Sequence, residues 1–323
     1  MGLDRSLVIG GAGFIGSNLV DRLMSDGGYV RVLDDFSNGS RKNLSRWTGN
    51  DRFDLVNGDM RHRETVANSL KEIDVIYLQA AKVSIPLSVE NPHLVLDVNV
   101  MGSTVVLEEA RKADTERIVV ASSSSVYGNT PTLPKTEEMP INPISPYGVS
   151  KLAQENLAMA FVHTYGMNIS ALRYFNAYGP RQRSGHYAGV IQIYITRALE
   201  NKSLPIFGDG HQTRDFTYID DIVEANILAA NSKRAKGQVF NVGYGNRVSI
   251  NQLADIIISM TGSLSKKEYG PPRKGDVRDN LAGVARIRGE LGFTPKWDIE
   301  RGISKTIEWI KSNEKKSSTI HNS

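Results

Sequence analysis

The sequence predicts an α/β fold: a doubly wound parallel sheet with helices on both faces and a smaller C-terminal lobe. Three observations predict it. Short apolar runs alternate with amphipathic stretches through the first half of the chain. A glycine-rich turn joins the first apolar run to the first helical stretch. From about 179 to 214 the alternation gives way to a segment rich in Gly, Pro, Arg and aromatic residues. Strands separated by helices pair in parallel and are buried on both faces. Right-handed crossovers then wind the helices onto both sides.

The strands are expected at 6–10, 29–34, 52–59, 74–81, 117–123 and 168–176, each an apolar run bounded by turn residues. Amphipathic spacing predicts helices over 17–27 and 103–114. Residues 238–243 (QVFNVG) read as one further strand, and 249–261 and 299–312 as helices. Residues 1–178 should form the sheet domain, with a returning segment at about 215–244. Residues 179–214 and 245–312 should form the lobe. The polar stretch 313–323 reads as a frayed tail.

Composition narrows the chemistry. The 323 residues hold 39 Lys plus Arg against 35 Asp plus Glu, and no cysteine. A disulfide framework, a thiolate nucleophile and Cys-ligated metals are therefore excluded. The six histidines are scattered without ligand spacing, so no metal site is expected. The positive excess forms no basic stripe with interleaved aromatics, which argues against nucleic acid as a partner. No apolar run approaches the roughly eighteen residues of a membrane span. LVIGGAGFIG lacks a basic flank and a cleavage site, so a soluble, cytoplasmic protein is expected. Difficult chemistry would then use an organic cofactor.

Gly10, Gly13 and Gly16 in GGAGFIG supply that cofactor's first contact, together with Phe14 and Ile15. Glycine lets the backbone turn sharply and approach a pyrophosphate, and the following helix offers free N–H groups to the anion. The second strand ends in Asp34, eighteen residues after Gly16, followed by Asp35 and Asn38. An acid there accepts hydrogen bonds from ribose hydroxyls and repels a 2′-phosphate, so NAD is expected rather than NADP. Asp59 and Met60 end the third strand, where the acid can bond the adenine amino group and the thioether can pack on its ring. Gln79, Ala80 and Ala81 end the fourth.

Tyr147 and Lys151 are spaced so that one helix face presents both. A free tyrosine has a pKa of about 10, and lowering it to about 7 takes roughly 4 kcal/mol at ~1.36 kcal/mol per unit. A neighbouring ammonium and a cationic nicotinamide both favour the phenolate. ASSSSVYG (121–128) follows the fifth strand and brings a serine hydroxyl to the ligand-facing edge of the sheet.

These motifs in order resemble the extended short-chain dehydrogenase/reductase superfamily, with its Rossmann-like fold, in the nucleotide-sugar epimerase/dehydratase branch. GGAGFIGSNL, GDMRH, DVNVMGST, ASSSSVYG, SPYGVSK, RYFNAYGPRQ, PIFGDGHQTRDFTYIDD and PRKGDVRDNLAG carry the likeness, over roughly 5–312. The branch most like it is the UDP-sugar 4-epimerases. The resemblance implies Ser123, Tyr147 and Lys151 as the catalytic set, with Lys151 on the nicotinamide ribose. It implies Asn99, Tyr174 and Ala177 near the nicotinamide. Asn176, Arg214 and Arg273 would hold the substrate diphosphate, with Pro205, Phe207 and Val190 on the uridine side and Asp276 on its ribose. A UDP-sugar as substrate and a homodimer built on helices around 103–114 and 150–164 follow from the same likeness.

The chain departs from the family pattern at several positions. Ile9 stands where Thr is usual, Gln79 where His is usual, and Gly283 where Asp is usual. Sugar dehydratases of this branch carry Asp-Glu at the places of Ser124 and Ser125. Eliminating water needs a proton donor for the leaving hydroxyl, which two serines supply poorly. The expectation is therefore C4 epimerisation of a UDP-hexose, ahead of a net reductase, a dehydratase, a UDP-glucuronate 4-epimerase or a silent NAD-binding regulator. Asn280, small at a position that is bulky in glucose-restricted relatives, points to tolerance of an N-acetyl group.

Overall fold

The computed structural model describes residues 5–183, 189–272 and 277–320. Among them seven strands form one parallel sheet. Strands β1 (Arg5–Ile9), β2 (Tyr29–Asp34), β3 (Phe53–Asn57), β4 (Val75–Leu78), β5 (Arg117–Ser123) and β6 (Ile169–Tyr174) are joined at the edge by Val239–Val242. From that edge strand the order runs β6, β5, β4, β1, β2, β3, and every pairing is parallel. The chain therefore steps outward from β1 in one direction, then returns to β4 and proceeds in the other. A crevice opens at the carboxyl ends of β1 and β4, where neighbouring connections leave toward opposite faces.

Alternation along the strands builds two cores. Val8, Val32, Tyr77, Val119 and Phe240 face one side of the sheet. Leu7, Ile9, Leu33, Ile76, Leu78 and Val120 face the other. Burial on both faces explains why the strands read as continuous apolar runs. The edge β5–β6 is also tied by charge. Arg173 of β6 and Glu155 of the helix Pro146–Tyr165 pair at 2.6 Å with both side chains buried. Ser122 donates to the same carboxylate at 2.6 Å, and Arg173 donates to the Tyr127 hydroxyl at 2.7 Å.

Helix α1 (Phe14–Ser25) starts three residues earlier than its apolar pattern suggests. Gly13 is its extended N-cap, so Phe14, Ile15 and Gly16 form the first turn. The predicted helix at 103–114 occupies Gly102–Lys112, preceded by a π-helical turn over Asp97–Met101. The segment 179–214, expected to be mostly loops, contains the helix Val190–Leu199 and the strand Leu204–Phe207. The last helix, Ile299–Ile320, continues past the point where the sequence suggests fraying.

Among the described residues three small sheets connect the segments after the sixth strand, and in one of them Ala177–Tyr178 pairs with Thr217–Tyr218. Leu204–Phe207 pairs with Lys267–Gly270. Thr213–Arg214 lies between Val248–Ser249 and Asp279–Asn280. Among the described residues no helix is long and apolar enough to cross a membrane.

Candidate active site

The glycine turn shows why its residues are glycine. Gly10 has φ +82°, and a Cβ there would lie 2.6 Å from the Ala80 backbone nitrogen. A Cβ on Gly16 would lie 2.2 Å from the Gly10 carbonyl oxygen. Both positions thus join β1, β4 and α1 at closest approach. No side chain caps the start of α1, and the residues of its first turn line a cavity of about 370 Å³.

Asp34 ends β2 and stands at the rim of this cavity. One carboxylate oxygen accepts from the Ala12 N–H at 2.9 Å and the other from the Phe36 N–H at 2.8 Å. Burial pushes its pKa up, against the pull of those two N–H groups. Each oxygen keeps acceptor capacity for a ribose hydroxyl. Asp35 accepts from both the backbone and the hydroxyl of Ser37. Asn38 accepts from Arg183. Asp59 lines the cavity, but its carboxylate is engaged by Arg61, which holds its pKa down. Met60 is buried against Gly102 and also reaches the cavity wall.

Gln79, Ala80 and Ala81 form the wall beyond β4, and the Gln79 and Ala80 N–H groups both donate to the Ile9 carbonyl. Gln79 is held by two partners: its Nε2 donates to Asn226 at 3.0 Å and its Oε1 accepts from the Tyr174 hydroxyl at 3.2 Å. The one Tyr174 hydroxyl hydrogen is shared with Asn226 Oδ1, which lies closer, at 2.9 Å. Asn99 is fully buried in the π turn. It accepts from the Lys82 N–H at 2.7 Å and donates to the Lys82 carbonyl at 3.1 Å, so it acts on the cavity by fixing this loop. Ala177 accepts from Gln182, another lining residue.

Ser123 is the last residue of β5 and pairs in register with Tyr174 of β6. Ser145 caps the helix Pro146–Tyr165 by accepting from the Gly148 N–H, and proline occupies the first turn. Tyr147 therefore enters the helix at a fixed place, with Lys151 one turn on. Burial pushes the Tyr147 pKa up, only partly offset by the Ser123 hydroxyl beside it. Lys151 is 2% exposed, and burial brings its pKa down to about 7. Its Nζ donates to Gln154 Oε1 at 2.5 Å. The sequence suggests mutual stabilisation of phenolate and ammonium. In the protein alone each group is instead driven toward its neutral form, because both are desolvated.

The chain from 6 to 243 matches the NAD dependent epimerase/dehydratase family. The chain belongs to this family. It is 39% identical over 311 residues to the UDP-glucose 4-epimerase of Mycolicibacterium smegmatis, covering 95% of this chain and 99% of that one. The UDP-glucose 4-epimerase of Thermotoga maritima, solved with UDP-glucose, matches with a TM-score of 0.91 and 35% identity, over 96% of this chain and 99% of that one. The UDP-N-acetylglucosamine 4-epimerase of Methanobrevibacter ruminantium, solved with UDP-N-acetylmuramic acid, matches with a TM-score of 0.91 and 34% identity, over the same shares.

As a member of this NAD-dependent family the chain uses NAD, and the cavity fits that group. The uncapped helix start suits a pyrophosphate. Lys82, Arg181 and Arg183 add positive charge to the lining. None of these three is singled out by the sequence reading, although the GPRQR run (179–183) carried the signal for two. Lys82 donates to Ser37 at 2.7 Å across the crevice, a contact between residues 45 positions apart that no local pattern announces.

The residues expected to hold the substrate lie on the small sheets and their connections. Asn176 has φ +31°, and its amide donates to the Asp215 carbonyl at 2.8 Å. Arg214 pairs in register with Asn280 and donates to the carbonyls of Thr213 and Arg278. Asn280 in turn donates to the Ser124 hydroxyl at 3.1 Å, which brings this strand against the serine turn. Pro205 accepts from the Tyr194 hydroxyl through its carbonyl, and Phe207 accepts from Gln212 at 2.7 Å. Val190 opens the helix Val190–Leu199. Arg273 and Asp276 lie outside the described residues.

Proposed function

We propose that this protein interconverts the C4 epimers of a UDP-hexose through a transient 4-keto sugar. The observation that carries the reading is the Ser123 hydroxyl acting on the Tyr147 phenol beside hydroxyls at Ser124 and Ser125, where an elimination would use carboxylic acids. Near-full-length similarity to UDP-glucose 4-epimerases supports it.

Tyr147 removes the proton of the C4 hydroxyl and later returns it, while Ser123 bridges the sugar oxygen and the phenol. Lys151 holds the nicotinamide ribose. Bound NAD supplies a hydride acceptor at C4 and afterwards the hydride donor. Between the two transfers the sugar must turn about its diphosphate link. Binding energy is therefore placed on the nucleotide, through Asn176, Arg214 and Arg273 at the diphosphate, Pro205, Phe207 and Val190 at the uridine, and Asp276 at its ribose. Residues 1–178 and 215–244 make the NAD-binding domain in this reading. Residues 179–214 and 245–312 make the sugar-nucleotide lobe.

Asn280 favours a pocket that also admits an N-acetyl group, because its short amide sits against Ser124 rather than filling the cleft. Purified protein with UDP-galactose and no added reductant should form UDP-glucose, and UDP-N-acetylgalactosamine should also turn over. Failure on these two and on UDP-glucuronate would overturn the reading.

The same reading places the enzyme in the cytoplasm as a homodimer. Leu96, Met101 and Val149 are apolar and exposed on adjoining helices. A second copy packed on this face would cover them. Light scattering should give about twice the 35.6 kDa chain mass.

A further inference from the structure

The Lys151 amine begins a chain of buried hydrogen bonds. Nζ donates to Gln154 Oε1 at 2.5 Å, and Gln154 is itself 1% exposed. Gln154 Nε2 donates to Ser103 Oγ at 2.7 Å, and Ser103 Oγ donates to the Asn99 carbonyl at 2.6 Å. Asn99 Nδ2 donates to Ser150 Oγ at 2.9 Å. Ser150 Oγ donates to the Tyr147 carbonyl at 2.7 Å. This chain of bonds begins at one member of the catalytic set and ends at another.

Proton bookkeeping fixes the direction of the Gln154 amide. The Ser103 hydroxyl has one hydrogen, and the Asn99 carbonyl takes it. Toward Gln154, Ser103 can then only accept, so the NH₂ group faces Ser103 and the carbonyl oxygen faces Lys151. A flipped amide would set NH₂ against ammonium and oxygen against a hydroxyl with no hydrogen to give.

We propose that Gln154 is a positioning residue for Lys151, holding the amine in the protonated form and in one direction by an acceptor that the Asn99–Ser103 pair locks in place. An ammonium this deeply buried needs such an acceptor, since charge without a partner in the interior is strongly disfavoured. The nearest carboxylate, Glu155 on the same helix, is already taken by Arg173 of β6 and Ser122 of β5. Among the described residues Glu155 is the charged group that acts on the Lys151 amine, and Gln154 Oε1 is the acceptor that meets it. Burial lowers the Lys151 pKa to about 7, and an acceptor held against the amine opposes that shift.

The inference rests on the NAD-dependent reading of the site but not on the identity of the sugar, and its test uses NAD retention. Wild type, Gln154→Met, Gln154→Glu and Ser103→Ala are gel-filtered at a series of pH values. The nicotinamide released on denaturation is then measured per chain, together with the melting temperature. Gln154→Met keeps the volume and removes the acceptor. The midpoint of NAD loss should fall by about one pH unit, a tenfold change in the proton affinity of the amine. Gln154→Glu, which loses the Ser103 bond but sets a carboxylate against the amine, should bring the midpoint to the wild-type value or above it. Ser103→Ala unlocks the amide and should shift the midpoint the same way by less, which covers a Gln154→Met chain that fails to fold. Unchanged midpoints in Gln154→Met and Ser103→Ala would overturn the proposal. So would NAD loss that is equal at every pH and tracks the melting temperature. Wild type that retains NAD but leaves UDP-galactose unchanged would count against the substrate assignment alone.

Discussion

Tyr147 is placed between two opposing influences: burial favours the phenol and the Ser123 hydroxyl favours the phenolate. Burial wins in the protein alone, so the base role proposed for Tyr147 requires positive charge arriving with the cofactor and Lys151 staying protonated. Tyr147→Phe removes the transferable proton while keeping the ring. Turnover of UDP-galactose should fall by about 10²–10⁴-fold, the usual contribution of a positioned acid/base group. Bound NAD, read by its absorbance after gel filtration, should remain. Substantial epimerase activity in that variant would remove Tyr147 from the assigned role. Asp34 and the glycines could be found from sequence because their job is set by a few neighbouring residues on one strand and one turn. Gln154, Lys82 and Arg181 could not, because Ser103, Ser37 and Asp21, which fix them, lie on other elements.

Among the elements, the helix Pro146–Tyr165 does the most to assemble the site. Its cap and first-turn proline fix where Tyr147 begins, and Glu155 two turns on anchors it to β5 and β6. The Arg173–Glu155 pair is buried at 3% and 2% exposure, where removing one partner leaves an uncompensated charge. Arg173→Met should lower stability by about 3–5 kcal/mol in chemical denaturation. A loss below about 1 kcal/mol would mean that the pair adds nothing beyond its packing. The alternation of apolar runs and helical stretches made the sheet legible. Helix starts were less so: α1 begins at Phe14 because Gly13 is extended, a backbone fact that an apolar period does not record.

Across the whole molecule, two buried aspartates tie late segments to the rest. Asp215 accepts from the N–H groups of Tyr244, Gly245 and Ala282. Asp221 accepts from those of Lys296 and Trp297. Burial raises both pKa values to about 6. A carboxyl whose pKa is higher folded than unfolded binds more protons in the folded state between the two values. Its contribution to stability is full below about 4 and is lost as pH rises through about 6. Stability of wild type relative to Asp215→Asn should therefore grow as pH falls from 7 to 4, by up to roughly 3 kcal/mol. Parallel melting curves at each pH check this, and a constant difference would refute it.

Local chain chemistry is enough to dictate the parallel sheet, the glycine turn, the acid at the end of β2 and the Tyr147–Lys151 spacing. Each depends on periodicity or on residues a few positions apart. Packing alone decides that Gln154 turns to Ser103, that Arg61 also reaches Asp97, and that Asn280 reaches Ser124. Those contacts depend on which desolvated group finds which partner once distant strands and helices meet, and charge in a buried site is governed by its neighbours in space.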